Sequence, residues 1–125
     1  MFLHVLAAAV WVGGQLTLLG LLSTVRTLGD DAPRLVARRF GAIAWSAFAV
    51  LVVTGVWNLL ALDVGSTTTA YQVTLGVKLL LVVVSGLGAA AHSIARSRVA
   101  LAIGGAVGLL GALGATFLGV MLRVG

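Results

Sequence analysis

Apolar residues gather along this chain into four long runs, residues 2–22, 40–62, 71–92 and 99–122, separated by short polar segments. Each run is long enough for a helix to cross the hydrocarbon core of a bilayer, which takes about 20 residues. The separating segments are residues 23–39, rich in arginine; residues 63–70, rich in Gly, Ser and Thr; and residues 93–98, short and basic. Pro33, the only proline, follows Asp30 and Asp31 shortly before the second run, an order that signals a helix start. Short connections make consecutive helices antiparallel neighbours. The expected fold is all-α: an integral membrane antiparallel four-helix bundle, forming one transmembrane domain over residues 1–125.

Charge sets the expected orientation. Arg26, Arg34, Arg38 and Arg39 fall in the first polar segment and Arg96 and Arg98 in the third, whereas the second has no Lys or Arg and the C-terminal tail only Arg123. Basic residues concentrate on the cytoplasmic side of membrane proteins, so both termini are expected outside, in a plasma membrane of the bacterial inner-membrane kind. Residues 1–22 lack a basic start and exceed a signal peptide's apolar core, so they are expected to stay as the first span.

Composition agrees. The chain is 61% hydrophobic and 9% charged, with mean hydropathy +1.19, more apolar surface than a soluble domain of 125 residues can bury. The net charge of +5 belongs to arginines at helix ends, where they meet anionic lipid headgroups, so nucleic acid is not an expected partner. With no cysteine, disulfides and thiolate metal sites are excluded.

Against this apolar background the polar residues of the third run stand out. Tyr71, Lys78, Ser85 and His92 recur every seven residues and share one helix face. An ammonium inside a span costs at least about 2.5 kcal/mol, which makes Lys78 a candidate functional residue. Depth counting at about 1.5 Å per residue places His4, Asn58, Tyr71, Lys78 and Thr116 toward the outer leaflet, with Gln15 extending the His4 face inward. His92 lies about 21 Å along the helix from Lys78. It cannot share one metal ion with His4. No Asp or Glu lies inside any run, so Lys78 is answered by Asp63, by a bound anion such as a haem propionate or lipid phosphate, or by staying uncharged. His4 is a ligand or proton-transfer candidate, or a residue of the wet interface. Trp11, Trp45 and Trp57 are packing residues or cofactor contacts. Gly104, Gly108, Gly111, Ala115 and Gly119 form a small-residue stripe suited to close helix packing, within the chain, in a homo-oligomer or against subunits of a membrane complex.

Several of these residues form a pattern. The opening His4-Val-Leu-Ala-Ala-Ala-Val-Trp11-Val-Gly13-Gly14 resembles the first helix of copper-resistance-D (CopD-like) membrane domains. Arg38-Arg39-Phe40, Thr54-Gly55-Val-Trp-Asn58, Tyr71 and Leu75-Gly-Val-Lys78-Leu are similar to the body of such a domain, over roughly residues 3–98. More distantly, the chain resembles the four-helix haem-binding membrane protoporphyrinogen oxidases. The resemblance implies a functional pair of His4 and Lys78, and copper handling. Soft ligands suit membrane copper, and the only methionines, Met1 and Met121, are expected to join His4 as an outer metal site. The alternative is a haem b module for electron transfer, with His4, Trp11, Asn58, Tyr71 and Lys78 as cofactor-binding residues. A further alternative is a structural small subunit. No catalytic residue is expected.

Overall fold

The computed structural model describes residues 1–125 as four α-helices: α1 (Phe2–Arg26), α2 (Ala32–Leu60), α3 (Thr69–Ile94) and α4 (Arg98–Val124), with one 3₁₀ turn at Val64–Ser66. Each helix is long and apolar enough to cross a membrane. In hydrocarbon a backbone must satisfy its own polar groups, and a helix does so within one segment. The hydroxyls follow the same logic. Thr17, Ser46, Thr74, Ser93 and Thr116 each donate to the carbonyl four residues back in their own helix. The chain packs as two compact units, Met1–Ala61 and Leu62–Gly125, each a helical hairpin.

The helices outrun the apolar runs, most of all in α2. Its winding begins at Ala32, with Asp31 as cap residue and Pro33 in the first turn, so most of the expected polar loop up to Arg39 is helical. Apolarity marks where a helix enters lipid, not where it starts winding. Arginine is a good helix former, and proline is harmless in the first turn because its missing N–H would bond nothing there. The 29 residues of α2 span about 43 Å, against roughly 30 Å of hydrocarbon. Between α1 and α2 the chain reverses at Gly29, whose φ of 136° only glycine adopts readily. The other helices are capped by side chains: Thr68 accepts from the Tyr71 N–H at 3.3 Å, and Ser97 from the Ala100 N–H at 3.1 Å.

In the second hairpin, the polar face of α3 lies on the small-residue stripe of α4. A Cβ at Gly88 would stand 2.5 Å from the Gly108 nitrogen, and one at Gly104 would stand 2.7 Å from the His92 nitrogen. Only hydrogen fits there, so the two backbones touch. Ser85, 1% exposed, donates to the Gly108 carbonyl at 2.8 Å. His92 donates its Nδ1 proton to the Leu101 carbonyl at 2.7 Å, since a carbonyl can only accept. The first hairpin is different. Its core is aromatic, with the Trp11 ring 4.5 Å from Phe48 and 5.5 Å from Trp45.

Candidate functional site

His4 is fixed from α2. Its Nδ1 is 3.0 Å from the Thr54 hydroxyl, which in turn donates to the Val50 carbonyl at 2.6 Å. With that proton committed, Thr54 Oγ1 accepts the hydrogen bond and His4 Nδ1 donates it. Metal-binding imidazoles are commonly held this way, with one nitrogen anchored by an oxygen acceptor and the other at the metal. Gly55 supplies the space. A Cβ there would stand 3.2 Å from His4 Cε1, so the ring lies almost on the α2 backbone.

Beside this pair is a concavity of about 420 Å³ lined by Met1, Phe2, Leu3, Val53, Thr54, Trp57 and Asn58. Thr54 and Asn58 are one turn apart and share its wall. Met1, Thr54 and Asn58 therefore converge at the end of the hairpin that holds His4, as depth counting predicts for His4 and Asn58. Trp57 is 75% exposed at the rim. Trp11 is 3% exposed, its ring packed among Trp45 and Phe48. Gln15 does not extend a polar track, because its amide donates to the Trp11 carbonyl at 2.9 Å.

Lys78, Tyr71, Thr116 and Met121 belong to the second hairpin. Lys78 is half-buried, and its end lies across Gly119, where a Cβ would be 3.3 Å from Nζ and 3.4 Å from Cε. Three of the four seam residues thus meet α4 glycines in order: Lys78 at Gly119, Ser85 at Gly108, and His92 at Gly104 and Gly105. Asp63 does not answer Lys78. It is exposed, and its Oδ1 would lie 3.5 Å from a Cβ on Gly65, over its own turn. No carboxylate of its own hairpin pairs with the Lys78 ammonium. Tyr71 is half-buried near the start of α3, and Met121 is exposed near the end of α4.

The sequence puts Thr54 on one face with Trp57 and Asn58 at the end of the second span, but pairs neither Thr54 nor Gly55 with His4. The available signal was the glycine beside a hydroxyl residue inside a helix, which marks close approach of another group. No group of three or more His, Cys, Asp or Glu side chains gathers to hold a metal ion.

Among known families, the profile described as copper resistance protein D matches residues 34–122, well over half of the chain. The matched stretch contains Asn58, Tyr71, Lys78 and Met121. It begins after α1 and reaches nearly the end of α4, whereas the resemblance in the sequence was expected over residues 3–98. No curated protein and no solved structure matches the chain.

Proposed function

Because this chain belongs to the copper resistance protein D family, we propose that it handles copper at the outer membrane face, accepting copper(I) as cargo at the end of the first hairpin. The observation that carries this reading is the Thr54 hydroxyl against His4 Nδ1, which turns the ring's coordinating nitrogen away from its anchor. Met1 lines the concavity beside Thr54 and offers a thioether. Imidazole and thioether donors are the set copper(I) favours in the absence of thiolate. The basic ends of the helices, by the positive-inside tendency, put both termini and this site on the outer side of a plasma membrane.

A copper(I) titration against a chromophoric chelator, on protein in lipid nanodiscs, tests this reading. One copper per chain is expected, lost in His4→Ala. Thr54→Val should weaken binding about 10- to 100-fold by removing the partner that orients the ring, and Thr54→Ser should retain it. A purified protein with a Soret band and no copper affinity would replace this reading with the haem b module. Against haem stands the burial of Trp11 in an aromatic cluster, which leaves its face no room for a porphyrin. A homo-oligomer or larger membrane complex built through Gly104, Gly108, Gly111 and Gly119 draws its support from the small-residue pattern. In this chain those glycines have α3 as their neighbour.

A further inference from the structure

The helical start of α2 gives its arginines a fixed arrangement that a polar loop would not. Arg34 and Arg38 are one turn apart on one face of α2, where residues four apart are neighbours. Together with Asp31 and Leu35 they line a concavity of about 240 Å³. No ion pair or hydrogen bond engages either guanidinium. Because α2 exceeds the hydrocarbon thickness by about 13 Å, the first two turns stand at headgroup depth.

We propose that this concavity seats the phosphate of an anionic phospholipid between Arg34 and Arg38, with the upper acyl chain on Leu35. Guanidinium groups bind phosphate oxygens through paired, charge-assisted hydrogen bonds. The lining selects the kind of phosphate. Two arginines and one aspartate leave a net charge of +1, which matches the single charge of a lipid phosphodiester better than a dianionic free phosphate. Leu35 is 62% exposed within this charged lining, an apolar surface that suits a lipid chain and gives inorganic phosphate nothing. Arg26 at the end of α1 and Arg39 on α2 add positive charge to the same end of the hairpin. Asp30 and Asp31 are the acidic groups there.

Native mass spectrometry of the detergent-solubilised chain tests the seat, using phosphatidylglycerol, phosphatidylcholine with the same acyl chains, and inorganic phosphate as probes at one ionic strength. Retention of phosphatidylglycerol over phosphatidylcholine is expected, with no competition from inorganic phosphate at matched concentration. The double variant Arg34→Gln, Arg38→Gln should weaken phosphatidylglycerol binding about 30-fold, from the contribution of two arginines near an anionic surface. Removing the same charge from the other hairpin, Arg96→Gln with Arg98→Gln, should cost less than about threefold, because the seat stays intact. Equal losses in the two double variants would overturn the proposal in favour of bulk charge. Equal retention of both lipids would overturn it too, and displacement by inorganic phosphate would make this a free-anion site. Should the α2 variant fail to fold by circular dichroism, the wild-type chain decides with glycerophosphoglycerol, the deacylated headgroup of phosphatidylglycerol. This probe carries the same singly charged phosphodiester without acyl chains: failure to compete supports the lipid seat, and full competition overturns it.

Discussion

The two hairpins hold their helices together in different ways, within a solvent that gives apolar side chains no reason to leave it. The second hairpin brings backbones into contact. Gly88 meets Gly108, and the polar seam of α3 lies in the groove that the α4 glycines leave, Ser85 donating to Gly108 and His92 to Leu101. The first hairpin keeps its backbones apart with rings, Trp11 against Trp45 and Phe48 in the middle and His4 against Thr54 and Gly55 at one end. Backbone contact leaves no room for a ligand. Packing through side chains leaves concavities, and both concavities described above lie in the first hairpin. In lipid, where tight packing must supply the cohesion, the hairpin with fewer glycine contacts is the one that holds both of these concavities.

Substitutions can break this contrast. The largest effect is expected for Gly88→Leu, whose Cβ alone would meet the Gly108 nitrogen at 2.5 Å. Forcing two backbones apart should destabilise the second hairpin by about 3 kcal/mol or more, measured by circular dichroism during SDS-driven unfolding. Trp11→Ala should cost the first hairpin less, about 2 kcal/mol, because in lipid only its two ring contacts are lost and not a transfer from water. Tryptophan fluorescence reports that loss cleanly, since all three tryptophans are in the first hairpin. Ser85→Ala removes the bond to Gly108 and should cost about 0.6 kcal/mol, the usual worth of a hydrogen bond between membrane helices. Gly13→Ala comes last. Nothing lies within 4 Å of the added Cβ, so stability should hold steady or rise by up to about 1 kcal/mol. A large loss in Gly13→Ala, or none in Gly88→Leu, would erase the distinction between the hairpins.

Much of the architecture was legible in the sequence. Four apolar runs predicted four membrane-spanning helices, and all four form. The seven-residue recurrence of Tyr71, Lys78, Ser85 and His92 correctly placed these residues on one face, and three of them meet α4 there. The glycine stripe admitted internal packing or a partner subunit, and its neighbours on α3 account for it within the chain. The start of α2 was misjudged by eight residues, because hydropathy records the lipid boundary and ignores a helix that begins in the headgroups. Asp63 was one of three answers to Lys78, and it lies over its own turn. Gln15 was expected to extend a polar track and bonds its own helix. These errors concern where a side chain turns, which depends on the local rotamer as much as on the face.

By itself, then, the sequence determined the elements and their polar faces. A helix closes its hydrogen bonds within one segment, so its existence and its 3.6-residue period are local properties, recorded residue by residue. The partners across each hairpin were decided by tertiary structure. Whether His4 faces Thr54 or slides past it depends on the rotation and register of two helices together, and no single segment encodes that. Gly55 beside His4 and Gly119 beneath Lys78 were silent positions until the opposite helix was in place. A missing side chain acquires meaning only from what fills its space.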